Sequence, residues 1–259
     1  MEHSPRYIVL FAAAVCAVCA IFVAGSAVSL RDRQEANVRL DVQKKVLTLA
    51  GLMKEGEDLS REEIGERYSD NIVARAVELE TGNYAEEIDA ANFDQRAREK
   101  DPETSHEVPP NAAKVMRVSR HAVVFQVSEN DQVKTLVLPI NGKGLWSTLY
   151  GFLALEADSR TIQGIVFYEH GETPGLGGEV DNARWKALWK GRMAFDDQWQ
   201  PAITVIKGMA GTPEEDPYRV DGLSGATITS RGVSGAMAFW LGDNGFGPYL
   251  SKYRSERGI

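Results

Sequence analysis

The residues best suited to chemistry lie in one short run, Asp221-Gly222-Leu223-Ser224-Gly225-Ala226-Thr227, followed by Ile228-Thr229-Ser230 and a long helix-forming stretch. Glycine permits a tight turn there. The helix that follows presents backbone N–H groups without intrahelical acceptors, at the positive end of its dipole. Together these features make a seat for an anion, phosphate in particular. Thr227 places a hydroxyl nucleophile at that seat, with Thr229 and Ser230 as alternative acceptors and an ordinary helix cap as the competing structural reading. A neutral threonine attacks phosphorus only when a base and a metal ion activate the partners. The chain carries no Walker-type loop, and its histidines, His3, His106, His121 and His170, are scattered in sequence. No catalytic group is therefore assigned.

Two further stretches have unusual composition. Glu172-Thr173-Pro174-Gly175-Leu176-Gly177-Gly178 joins a proline that fixes φ to glycines that let a planar ligand come close to the backbone. Gly142-Lys143-Gly144-Leu145-Trp146-Ser147 offers in Trp146 a flat face for stacking, or a side chain for the core. Lys207-Gly208 follows a strand-like run, and Lys207 reads equally as a plain surface lysine or as a charge near a bound ligand. Trp185, Trp189 and Trp199 stand outside any motif and read as packing residues.

These stretches need a scaffold, and the composition supplies one. The chain has 259 residues, 43% hydrophobic and 25% charged, which is ordinary globular usage with room for one or two domains. Its formal charge of −8 argues against nucleic-acid binding, which needs a basic face. Both cysteines, Cys16 and Cys19, lie in the apolar N-terminus. They are expected to pack as small residues, and the soluble part has no thiol for a disulfide, an iron–sulfur cluster or a zinc site. No metal site is assigned.

Tyr7 to Leu30 is uncharged, and as a helix would be about 36 Å long against roughly 30 Å of hydrocarbon. It reads as a retained membrane anchor, with a cleaved secretory signal as the alternative because Ala24-Gly25-Ser26 offers small residues at a cleavage point. Only Arg6 precedes it, whereas Arg31, Arg33, Arg39, Lys44 and Lys45 follow. Charge alone would keep the large domain in the cytoplasm, although large domains translocate largely regardless of flanking charge.

Beyond the span, Val38, Val42, Val46 and Leu49 mark a helix with one apolar stripe. Ser60 with Glu63 forms a capping-box pattern ahead of Ile64, Ile72, Ala76 and Leu79, predicting a second helix through those positions. The acidic residues around its start read as a solvated face. Asp94 to Asn111 reads as a surface connection. Strands are expected at 121–127 and 133–140, flanking the turn Ser128-Glu129-Asn130-Asp131, and then at 148–155, 161–168 and 202–207. A helix over 182–190 capped by Asp181 separates the last two, and a final helix follows Ser224. The pattern predicts an α+β fold with a mainly antiparallel sheet flanked by helices.

The run Asp221 to Thr227 resembles the flavinylation motif of FMN-binding domains, in which the last threonine carries FMN through a phosphoester. With the Gly142–Ser147 and His170–Gly178 stretches and one N-terminal span, nearly the whole chain resembles the NqrC family, a component of sodium-pumping NADH:quinone reductases. The Thr-Pro-Gly-Leu-Gly stretch is shared with the related RnfG component of the Rnf complex, but the Gly-Leu-Trp-Ser stretch and the long segment before residue 115 fit the sodium pump better.

The resemblance implies covalent FMN on Thr227, attached by a separate magnesium-using flavin transferase that takes FAD as donor. It implies that Thr173 and Leu176 lie nearest the isoalloxazine and Glu172 near a polar edge of it, with Gly177, Trp146, Lys207, Ser224, Gly225 and Ala226 completing the site. Asp221 either guides the transferase or holds the turn. The implied organisation is residues 1–30 as tail and anchor, 31–114 as a helical juxtamembrane segment and 115–259 as the FMN-binding domain. It places that domain on the periplasmic side of a bacterial inner membrane, against the charge rule. It implies partners in the other subunits of the complex (A, B, D, E and F), with an iron–sulfur centre and a further flavin on neighbours. Three alternatives remain: the RnfG role in a ferredoxin:NAD oxidoreductase, a non-redox interaction protein sharing the domain, and a secreted flavoprotein cleaved near Ser26.

Overall fold

The computed structural model describes residues 4–130 and 132–259, apart from the side chains of Asp32 and Glu35. His3 and the turn residue Asp131 lie outside the described residues. The chain divides into two compact units, Met1–Gln43 and Lys44–Ile259. The first is dominated by helix α1 (Pro5–Leu49). Its segment Pro5–Arg31 is long and apolar enough to cross a membrane, with a mean hydropathy of 2.8.

The last turns of α1 belong to the second unit. Of the apolar stripe, Val46 is fully buried, as is its neighbour Leu47, and Leu49 packs over Gly164. Val38, nearer the span, is exposed.

Helix α2 (Arg61–Asn71) begins as its sequence predicts. The Glu63 N–H donates to Ser60 Oγ at 3.2 Å, and the Ser60 N–H donates to Glu63 Oε2 at 2.8 Å. It stops earlier than expected. Ile72, Ala76 and Leu79 do not continue the helix, because Ile72–Glu78 is strand β1, paired antiparallel with 121–127. The spacing of those apolar residues suits a helical face, but Ile-Val-Ala-Arg-Ala-Val-Glu also alternates as an edge strand does, and long-range pairing decides.

Strands β4 (His121–Glu129), β5 (Gln132–Lys143) and β6 (Thr148–Glu156) contain the expected runs, and β7 (Ile162–Glu169) starts one residue later than expected. With β1 they form a five-stranded sheet in the order β1-β4-β5-β6-β7, every neighbour antiparallel. Asn130 and Ser159 adopt positive φ at the two turns. The Asp158 carboxylate reinforces the second of these by accepting from the Arg160 and Thr161 N–H groups. The stretch 94–111 is more ordered than a plain connection. It holds helix α3 (Gln95–Lys100), capped by Asp94, and strand β2 (Ser105–Glu107), which pairs with β3 (Arg117–Ser119).

Helix α4 (Ala183–Ala187) is shorter than expected, and Asn182 rather than Asp181 caps it. Asp181 instead faces His170 Nε2 at 2.8 Å. The run 202–207 yields only β8 (Thr204–Val205), which lies parallel to β9 (Arg219–Val220).

The C-terminal helical region is two helices, α5 (Thr227–Trp240) and α6 (Gly247–Arg257). The core lies where these cover the sheet: Val233, Ala236, Met237, Trp240, Tyr249 and Leu250 meet Leu136, Leu138, Leu153 and Phe167. Trp185 and Trp189 are buried and stacked edge to face, and Trp199 packs partly buried against the core.

The approach of α5 to the sheet is very close. A Cβ added at Gly232 would meet the Lys143 carbonyl oxygen at 2.2 Å, and one at Gly235 would meet the Ala112 backbone at 2.6 Å. Gly232→Ala is therefore expected to destabilise the soluble unit by about 1–3 kcal/mol, the usual range for overpacking. Gly65, inside α2, has nothing within 4 Å of a Cβ, so Gly65→Ala should stabilise by about 0.5–1 kcal/mol. Urea unfolding followed by tryptophan fluorescence checks both, and equal midpoints for the two variants would contradict the packing assigned to α5.

Candidate functional site

The three stretches singled out in the sequence meet at the N-terminus of α5. Gly225 adopts φ +71°, and a Cβ there would lie 2.8 Å from Leu176 Cδ2. The Thr173–Gly178 loop thus sits directly on the Ser224–Thr227 turn. The Gly144–Ser147 loop joins them through a single side chain, Glu172.

Glu172 is buried. Its Oε1 accepts from the Trp146 N–H at 2.9 Å and the Ser147 N–H at 3.2 Å. Its Oε2 accepts from the Leu145 N–H at 3.1 Å and from Thr229 Oγ1 at 2.5 Å. Burial pushes the carboxyl pKa up, but the Thr229 hydroxyl and the three backbone donors outweigh it and hold the group below its ordinary value of 4.5. An ionised carboxylate surrounded by four donors is thereby stable away from water. Both its oxygens are engaged by the protein, so Glu172 orders the loops around the site. Ser147 adds a further link, its Oγ accepting from the Gly171 N–H at 2.6 Å.

The hydroxyls of the motif separate by environment. Thr229 is fully buried and Ser230 nearly so, and Ser230 Oγ accepts from the Leu223 N–H at 3.1 Å. Ser224 and Thr227 are exposed. Thr227 is the first helical residue, and Ala226 stands at the cap position with no side chain to offer. Thr227 is therefore not the cap, and the opening N–H groups of α5 have no side-chain acceptor at that position.

Asp221 holds the approach to the turn. Its Oδ1 accepts from the Ala210 N–H at 2.8 Å, and its carbonyl accepts from Trp185 Nε1 at 2.9 Å. The Gly222 N–H donates to the Gly208 carbonyl at 2.8 Å, which brings Lys207, exposed, to the same strip of backbone. Thr173 is exposed, and its carbonyl accepts from Leu176 and Gly178. Gly177 is buried where a Cβ would strike Thr229 Oγ1 at 2.6 Å.

An apolar rim lines this end. Trp146 is 67% exposed and so does not fill the core; Leu145, Leu176 and Ile228 are exposed beside it. Leu145, Ile228 and Arg231 also lie at this end without standing out in the sequence, and Thr229, read there only as an alternative acceptor, is the donor to Glu172. Helical spacing from Thr227 is the signal that locates the last three: 228 and 231 share its outer side, and 229 turns inward.

The residues fit a phosphate with a flat ring attached: an exposed hydroxyl, free N–H groups at a helix start and an apolar rim. Comparison with known proteins agrees. The FMN-binding domain family matches residues 144–242. The C component of the Na(+)-translocating NADH-quinone reductase of Vibrio parahaemolyticus is 45% identical over 92% of this chain and 90% of its own length. That of Pseudomonas aeruginosa is 42% identical over 98% of this chain and 97% of its own. The crystal structure of Shewanella oneidensis NqrC matches with a TM-score of 0.77 at 37% identity, covering 84% of this chain and 98% of that one. Both the fold around the anion seat and the similarity along nearly the full length point the same way: the chain belongs to the NqrC family of Na(+)-translocating NADH-quinone reductase subunits and contains an FMN-binding domain.

Proposed function

We propose that Thr227 holds FMN through a phosphoester and that the chain relays electrons by way of it within a sodium-pumping NADH:ubiquinone oxidoreductase. The observation that carries this reading is the sorting of the motif hydroxyls. Thr229 and Ser230 are buried and hydrogen-bonded, whereas Thr227 stands exposed at the opening of α5. A phosphodiester there keeps one negative charge, which the free N–H groups and the dipole of α5 stabilise.

When bound, the flavin supplies the redox chemistry, accepting and giving electrons singly. The protein supplies tether, orientation and electrostatics. Trp146, Leu176 and Ile228 offer the ring an apolar bed beside the exposed Thr173, Gly177 makes room beneath it for Glu172 and Thr229, and Lys207 adds positive charge. Glu172 keeps that bed in place from below. Ser224, Gly225 and Ala226 shape the turn that presents Thr227, and Asp221 fixes the turn to the 208–210 strip.

Attachment is the work of a separate magnesium-dependent flavin transferase. Thr227 Oγ forms a bond to the phosphorus of the FMN half of FAD, the P–O bond to AMP breaks, and AMP leaves while the hydroxyl proton passes to a base of that enzyme. The partners of the mature protein are the other subunits of the complex (A, B, D, E and F) and the lipid around the Pro5–Arg31 anchor. The soluble unit faces the periplasm, where permanent attachment prevents loss of the cofactor by diffusion.

Three outcomes are expected. Thr227→Val protein from a host with the transferase should fold normally yet show no flavin fluorescence on a denaturing gel, and an FMN adduct surviving in its intact mass would place the attachment elsewhere. Glu172→Gln should cost about 1–3 kcal/mol at neutral pH, because an amide cannot accept from all four donors. Since the folded-state carboxyl lies below 4.5, its stabilising contribution is present above that pH and is lost as pH falls through the lower folded value. Unfolding curves should therefore converge for wild type and Glu172→Gln in acid; a constant gap down to the acid limit would contradict the assignment. In spheroplasts, added protease should remove the soluble unit, and protection until the membrane is breached would reverse the topology.

A further inference from the structure

We propose that Arg231 is the cationic partner of the phosphodiester at Thr227, a positioning residue that holds the tether in one orientation. The inference rests on the reading of Thr227 as the attachment site.

Helix α5 is mostly buried: Thr229, Ser230, Gly232, Val233 and Gly235 all face the protein. Along its first two turns the exposed positions are Thr227, Ile228 and Arg231. Thr227 and Arg231 are four residues apart, which on a helix stacks their side chains on one face. Cα–Cβ bonds tilt toward the helix N-terminus, and long side chains lie back over the preceding turn. Arg231 therefore covers the turn that bears Thr227, whereas a cation placed one turn before it could not.

Arg231 is also free to take that role. It makes no hydrogen bond or ion pair among the described residues, whereas Arg67, Arg96, Arg117, Arg160 and Arg219 each hold a carboxylate. A cation near a helix N-terminus is unfavourable against the dipole. At that position it gains from an anion seated at the same end. A phosphodiester has two non-bridging oxygens sharing one charge, and a guanidinium can donate to both in parallel. Arginine held in this way removes rotational freedom about the tether, which backbone N–H groups on one side alone leave open.

The test uses the full chain, labelled with 15N-arginine in detergent micelles and flavinylated in a host that carries the transferase. Intact mass first establishes the adduct on wild type and its loss in Thr227→Val. The Arg231 Nε–H signal, assigned through Arg231→Lys, should then differ between the two: shifted and protected from solvent exchange in wild type, freely exchanging in Thr227→Val. A signal with the same position and exchange rate in both, with the adduct confirmed on wild type, overturns the proposal. Absence of the adduct from wild type instead overturns the reading of Thr227 itself. As a second measurement, free phosphate added to Thr227→Val protein should move the Arg231 signal toward its wild-type position. Lack of any response at saturating phosphate also counts against the pairing, because the seat and the cation would both be intact.

Discussion

The carboxylate of Glu172 is the interaction on which the arrangement of this end of the protein depends. It comes from the loop after β7, reaches the loop between β5 and β6 through three backbone N–H groups, and reaches the first turn of α5 through Thr229. Burying a carboxylate without partners would cost several kcal/mol, and leaving the buried Thr229 hydroxyl without its acceptor would cost about 1–3 kcal/mol more. Two motif glycines find their explanation here. A Cβ at Gly144 would lie 2.6 Å from Glu172 Oε1, and one at Gly177 would lie 2.7 Å from Glu172 Oε2. Both make room for the acid, in addition to any room they leave for a ligand.

The helix that carries Thr227 is fixed just as tightly along its length. Gly232 and Gly235 let its backbone touch β5 and the Ala112–Ala113 strip, and Trp240 Nε1 donates to the Asn141 carbonyl at 2.8 Å. Contacts of backbone with backbone leave little room for sliding, because interiors are packed at crystal-like density. The position of the first turn of α5 relative to the sheet follows from contacts between one and four turns further along. Sheet, helix and Glu172 loop thus define one closely packed corner with the opening of α5 at its apex.

Much of this corner was legible in the sequence, for identifiable reasons. Strands β4 to β7 are consecutive hairpins, so turn residues and β-branched runs report them locally. The capping box of α2 is likewise local. Strand β1 was not legible, because its identity is fixed by pairing with β4 some fifty residues away and its apolar spacing also suits a helix. The cap of α4 shifted by one residue because His170 takes Asp181. The motif around Thr227 marked a helix start with three candidate hydroxyls near it, but which of them is exposed depends on which face of α5 meets the protein. Nor does sequence reveal that the donors to Glu172 are backbone N–H groups, since every residue but proline has one.

The openness of this end bears on the proposed covalent tether. Thr227, Ile228, Leu176 and Trp146 are all exposed, whereas sites that retain small molecules without a bond enclose most of the ligand surface. A helix start contributes about 0.3–1 kcal/mol to an exposed anion, and an aromatic contact about 0.5–1.5 kcal/mol beyond area burial. Those two contributions alone stay below the roughly 4 kcal/mol that corresponds to millimolar affinity, so retention without a bond would rest on the exposed cations and the apolar rim. A phosphoester removes retention from that account. On the proposed reading of Thr227, a ring held by such a bond would lie on an open rim accessible to an electron partner, and the corner beneath would need only to set its orientation.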